Sequence, residues 1–274
     1  MSPVGKYPIT LSGGYSSNYS LVLVNDTLSI TKALLTATAD NKSKVYGSVN
    51  PAFTISYSGF VNGDNASNVS APAISTTATQ YSNYGNYPIT LTGGSAANYS
   101  LQLVNGTLSV TKATLSITAD DKTKVYGAVN PALTMTYNGF LGTDGPANIT
   151  VPNISTTATS ASPVNSYPIT LSGGSALNYL LDLHNGTLNV TKASLIATAD
   201  NKSKVYGTAN PTLTISYSGF VNGDSPANIS EPLAATTATA LSPVSNYAIT
   251  LTGGTAANYQ LTLNNGTLSV TKAT

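Results

Sequence analysis

Cysteine is absent from this 274-residue chain, which excludes disulfides, thiol nucleophiles and thiolate metal sites. Arginine is absent as well: the 11 basic residues are all lysines, charged residues make up 8% of the chain, and the formal net charge is +1. Phosphate recognition draws on clustered Lys and Arg, so this balance argues against nucleic acid or an anionic membrane as a partner. Histidine occurs once, at His184 beside an Asn185-Gly186 turn, and its column elsewhere holds Val24, Val104 and Asn264. No serine or carboxylate pair can be set beside it from the sequence, so neither a triad nor an acid–base pair has support. Hydrophobic runs stay short of the roughly 20 residues that a membrane helix needs, and the first residues do not read as a basic and then apolar signal segment. The expectation is a segment without catalysis, cofactor, metal or membrane insertion.

What the chain does contain is an 80-residue internal period. The block ITLSGG or ITLTGG begins at Ile9, Ile89, Ile169 and Ile249, and the corner KVYG recurs at 44–47, 124–127 and 204–207. Three complete units are expected at 34–113, 114–193 and 194–274, preceded by residues 1–33, which match only the C-terminal half of a unit. Met1 stands in the column of Ala161 and Leu241, as a start codon added to a cut would, so the chain reads as an excerpt of a longer array.

Apolar and polar residues alternate along each unit with the period of a half-buried strand, as in Phe53, Ile55 and Tyr57 or Tyr87, Ile89 and Leu91. About six or seven short strands per unit are expected, three of them in residues 1–33. Asn105-Gly106 reads as a two-residue type I′ turn, pairing Leu103 with Leu108 and Leu101 with Val110 in a hairpin. The segment GDSPANIS, from Gly223 to Ser230, suits one helical turn with Asp224 as N-cap. The fold class that follows is all-β: small two-sheet β-sandwiches, immunoglobulin-like in the broad sense, with a β-grasp arrangement as the alternative.

At the unit boundary the inward face switches. Leu108 and Val110 point inward at even positions and Leu115 and Ile117 at odd ones, so one extended segment serves two cores. The linkers TKAL, TKAT and TKAS carry no Gly or Pro, unlike a flexible hinge, and predict a stiff rod of domains.

The ordered blocks TADNKSKVYGSVNPAFTISYSGFVNGD, YPITLTGG, ANYSL and NGTLSVTKA resemble the MBG repeat of the YGX type, mostly β and glycine-rich, in all three full units and the partial one. That family occurs in tandem in large bacterial surface and adhesin-like proteins. The resemblance implies an extracellular or cell-surface array with a spacing or adhesive role in cell adhesion.

Columns filled identically in every unit read as fold requirements. Tyr46, Tyr126 and Tyr206, followed by Gly47, Gly127 and Gly207, and then Phe60, Phe140 and Phe220, are expected as structural corner and core. Gly47 is expected at positive φ. Lys42 and Lys44 are expected on a solvated face of an edge strand, guarding it against other chains. Private residues are better candidates for contact with a ligand or neighbouring fibre: Tyr81 and Tyr84 in the loop QYSNYGNY, and Tyr15. The partners expected are adjacent repeats of the same chain, other copies in a fibre, or a surface glycan or protein.

Overall fold

The computed structural model describes residues 2–273, which leaves the reading of Met1 outside the described residues. The chain divides into two compact units. The first runs up to Leu115 and takes in Gly139–Ile149 and Ser175–Leu180; the second comprises Ser116–Asn138, Thr150–Gly174 and everything from Leu181 on. The boundary therefore falls inside the middle repeat, because Gly139–Ile149 and Ser175–Leu180 of that repeat pack with repeat 1.

In the first unit, β1 (Gly5–Ile9) and β2 (Asp26–Ile30) form an antiparallel pair. Repeat 1 then supplies β3 (Ala33–Ala39), β4 (Lys42–Val45), β5 (Ile55–Ser58), β6 (Ala73–Thr76), β7 (Gly85–Thr92), β8 (Tyr99–Val104) and β9 (Gly106–Thr111). They make two sheets, ordered β5-β3-β8 and β4-β9-β7-β6. Between them lies a core of Ala37, Ala39, Ala78, Ile89, Leu91 and Leu108, with Phe53, Tyr57 and Leu103 packed on it. Ala37 and Ala39 of β3, Ile55 and Tyr57 of β5, and Ile89 and Leu91 of β7 enter this core as alternate residues, which is why the sequence period is two. Each sheet contains a parallel pair, β3 with β8 and β4 with β9. In the second unit repeat 3 repeats both sheets, with Ala193–Ala199 parallel to Tyr259–Asn264 and Lys202–Val205 parallel to Gly266–Thr271. The fold is thus an all-β tandem of two-sheet sandwiches. A β-grasp would need a helix across one sheet, and the helical segments among the described residues are three-residue 3₁₀ turns.

The expected hairpin at Asn105-Gly106 is not formed. Leu103 on β8 pairs with Ala37, and Leu108 on β9 pairs with Tyr87 and Lys42, so the two strands face each other across the core from opposite sheets. The Asn-Gly step is the corner between the sheets. Asn105 Oδ1 accepts the Leu91 backbone N–H at 3.1 Å, and a Cβ at Gly106 would drive into the Ala39 carbonyl. Close approach, rather than positive φ, accounts for the glycine.

Residues 2–33 show two strands rather than the three expected. Their counterpart of β8, Tyr19–Val24, is not a strand. In repeat 1, β8 bonds only to β3, and residues 2–33 include no counterpart of β3 to provide that ladder. Leu11, Leu21, Leu23 and Leu28 are correspondingly exposed. The helical turn in repeat 3 covers Pro226–Asn228 with Ser225 at the N-cap, which frees Asp224 for another task. The face switch between units does occur: Leu108, Val110, Ala113 and Leu115 are all buried.

Candidate functional site: the junction between repeats

The recurrent corner begins at Asp40, whose carboxylate accepts the hydroxyls of Ser56, at 2.6 Å, and of Thr54. These two hydrogen bonds hold its pKa below the usual value. Two residues on, β4 forms the edge of its sheet, parallel to β9. Lys44, expected in solvent, is only 7% exposed. Its ammonium donates to the carbonyls of Ser48 at 3.0 Å, Gln80 at 3.2 Å and Thr79. Three N–H donors meet three acceptors, so the buried charge is satisfied without a carboxylate, and burial lowers its pKa. Lys124 and Lys204 are buried in the same way. Along β4 the side chains of Ser43 and Val45 are exposed, and Lys44 between them takes the opposite, inward face.

After Lys44 the chain bends. Tyr46 N–H donates to Thr111 O at 2.8 Å and Gly47 takes φ 81°. The Tyr46 ring enters a socket on repeat 2 instead of the core of its own repeat. Its hydroxyl donates to Asp144 Oδ2 at 2.8 Å, and Tyr179 donates to the same oxygen at 2.7 Å. The two rings meet edge to face at 5.5 Å. Gly47 is needed twice over: besides its φ, a Cβ there would lie 2.7 Å from Leu141 Cδ1. Asp144 is presented by a turn in which its N–H donates to Leu141 O, while Leu141 N–H donates to the Tyr179 hydroxyl.

The second unit holds an equivalent junction between repeats 2 and 3. Tyr126 and Tyr259 donate to Asp224 Oδ2 at 3.0 and 2.6 Å, with their rings 5.5 Å apart. Val190 and Tyr126 join Leu195, Ala256 and Tyr259 in one apolar cluster, and Val221 lies against Gly127. Burial, then the neighbouring carboxylate, pushes Tyr179 and Tyr259 up to about 12. Tyr46 is raised for the same two reasons.

The third copy corrects the expectation that all three corner tyrosines belong to their own cores. Tyr206 is 44% exposed, against 5% for Tyr46 and 7% for Tyr126, and the space beside Gly207 is open. In repeat 1 the socket residues Val61, Asp64 and Tyr99 line a cavity of about 440 Å³ with Pro3, Val4 and Ile30. Phe60, Phe140 and Phe220 support the sockets from below, each edge-on to Tyr99, Tyr179 or Tyr259 at 5.8, 5.7 and 5.5 Å.

The private tyrosines fall into two groups. Tyr81 lies 6.2 Å from the Tyr46 ring and against Gly142, and Tyr84 carries Lys112 Nζ 5.4 Å above its ring. Tyr84 N–H also donates to Asn178 Oδ1 at 2.9 Å, and Lys112 donates to Ala176 O at 2.8 Å. Both side chains thus belong to the first junction, though each stays about half exposed. Tyr15 is exposed. His184 lies 3.0 Å from Asp182, both half exposed. Among the described residues no cluster of three or more His, Asp or Glu could hold a metal, and no helix is long and apolar enough to cross a membrane.

The model of the MBG domain (YGX type) matches the chain three times, over residues 35–109, 115–189 and 195–269. No curated protein matches the sequence. Solved structures similar to the chain include Drosophila N-cadherin EC1-3, at 10% identity and TM-score 0.27, covering 85% of this chain and 98% of that one. The I9-I11 tandem of titin is 11% identical with a TM-score of 0.23, covering 88% of this chain and 100% of that one.

Proposed function

Because this chain belongs to the MBG domain family of YGX type, we propose that it is a spacer: a non-catalytic stalk segment of a bacterial cell-surface adhesin or extracellular fibre. The observation that carries the reading is the sharing of one carboxylate by two repeats, Asp144 by Tyr46 and Tyr179, and Asp224 by Tyr126 and Tyr259. A single covalent link between two domains would by itself let them swivel. A buried aromatic knob hydrogen-bonded in the next domain resists bending, which suits a chain that must hold something at a distance. A low charged fraction, a net charge near zero and a Ser/Thr/Asn-rich sequence accord with an extracellular surface that avoids unspecific ionic contacts.

The test is backbone relaxation in solution. Repeats coupled through these sockets tumble together in the native chain and separately once Asp144 and Asp224 are replaced by Ala. Independent tumbling of the native repeats sinks the spacer reading. A second reading, contact with glycan or a neighbouring protein, is favoured by the exposed faces of Tyr81, Tyr84 and Tyr15. Binding on a glycan array that is lost with Tyr81→Ala and Tyr84→Ala would favour it over the spacer.

A further inference from the structure

The two internal junctions share their Tyr–Asp–Tyr centre but differ beside it, and the differences are matched in pairs. Where the loop of repeat 1 carries Tyr81, the socket turn of repeat 2 reads Leu141-Gly142-Thr143-Asp144. Where the loop of repeat 2 carries Ala161, the socket turn of repeat 3 reads Val221-Asn222-Gly223-Asp224. A Cβ on Gly142 would lie 2.9 Å from Tyr81 Cε1 and 3.1 Å from Cζ. Backbone conformation does not demand glycine at this column: Asn222 holds φ 57° and Asn62 φ 61°, against 62° for Gly142. The small Ala161 leaves room for the asparagine, whose Nδ2 reaches back to Ser160 O at 3.2 Å.

We propose that this residue pair is a key that decides which repeat can follow which. A repeat whose loop presents Tyr81 needs a successor with glycine at the socket, so that the ring can lie across the turn and against Tyr46. A repeat with a small residue in that column takes an asparagine socket, which closes the gap with a side-chain hydrogen bond. The repeats are therefore not interchangeable beads. By the same rule the Asn62 socket of repeat 1 accepts a preceding loop of the Ala161 kind and rejects one of the Tyr81 kind. This rests on the junction geometry alone and stands whether or not the array carries force.

The test is an exchange of keys in the full chain. Thr143 lacks the positive φ of Gly63 and Gly223, so the asparagine turn is transplanted whole, as Gly142→Asn with Thr143→Gly. Next to Tyr81 this swap is expected to speed amide exchange at Leu141 and Asp144 by about tenfold. In the Tyr81→Ala background, which recreates the second junction, the swap is expected to change exchange by less than about twofold. Conversely, Ala161→Tyr should loosen the second junction, and Asn222→Gly with Gly223→Thr should restore it. Equal effects of the turn swap with and without Tyr81, or no effect beside Tyr81, overturn the proposal. So does a failure of the restoring pair to tighten the second junction.

Discussion

The hydroxyl of Tyr46 donates to Asp144, 98 residues further along the chain, at 2.8 Å, and Asp144 accepts Tyr179 through the same oxygen. Replacing Asp144 with Ala leaves two buried phenols without an acceptor. That costs about 1–3 kcal/mol at this junction, while the core of repeat 1, built on Ile89, Leu91 and Leu108, is untouched. Denaturant unfolding of the variant is expected to split into a more gradual transition as repeats 1 and 2 lose their coupling. An unchanged single transition would show that the carboxylate is dispensable.

The three buried lysines make a sharper case. Lys44→Met keeps the length of the side chain but leaves the carbonyls of Ser48, Thr79 and Gln80 without a donor, at a cost of about 3 kcal/mol. Lys42→Met, on the same strand but half-buried, is expected to stay within about 0.5 kcal/mol. Thermal denaturation of the two variants compares them directly, and equal melting temperatures would contradict the carbonyl cage.

Much of this was legible in the sequence, and the failures have physical causes. The period-two pattern marks the strands around Tyr57, Ile89, Leu101 and Leu108, though not Ala73–Thr76, and the switch of inward face between Val110 and Leu115, because burial of alternate residues leaves a direct imprint. Sheet membership leaves none: Leu103 and Leu108 alternate identically whether their strands form a hairpin or face each other across a sandwich. Charge points Lys44 to solvent, whereas the carbonyls that draw it inward belong to Ser48, Thr79 and Gln80, which no local pattern ties to it. The socket was invisible because Tyr46 and Asp144 recur in every unit, and recurrence suggests a role inside each unit rather than between one and the next.

Glycines at two corners separate conformation from crowding. Gly93 holds φ 68° with nothing near its missing side chain, so Gly93→Ala is expected to cost only the left-handed penalty of about 1–2 kcal/mol. Gly106 is not left-handed, but its Cβ would meet the Ala39 carbonyl. Gly106→Ala therefore forces the two sheets apart, at roughly 3 kcal/mol. Chemical denaturation that ranks Gly93→Ala as the more damaging would refute this account of the sheet-switching corner.

High pH should open the junctions. Tyr179 and Tyr259 ionise near 12 in the folded chain, above the ordinary value of 10.0. The folded state thus retains protons that the unfolded state releases. The stability they contribute is fully present below about pH 10 and drains away as pH rises toward 12. Lys44 and Lys124 act in the opposite sense: burial lowers their pKa values below 10.5, so deprotonation relieves the folded state as pH climbs. The tyrosines act at the higher pH, and melting temperature is expected to fall between about pH 10 and pH 12, in step with the phenolate absorbance of the buried rings. Tyr179→Phe with Tyr259→Phe should flatten that fall even though both variants lose a hydrogen bond at neutral pH. An alkaline limb of the same steepness in the double variant would mean that tyrosines outside the sockets control it.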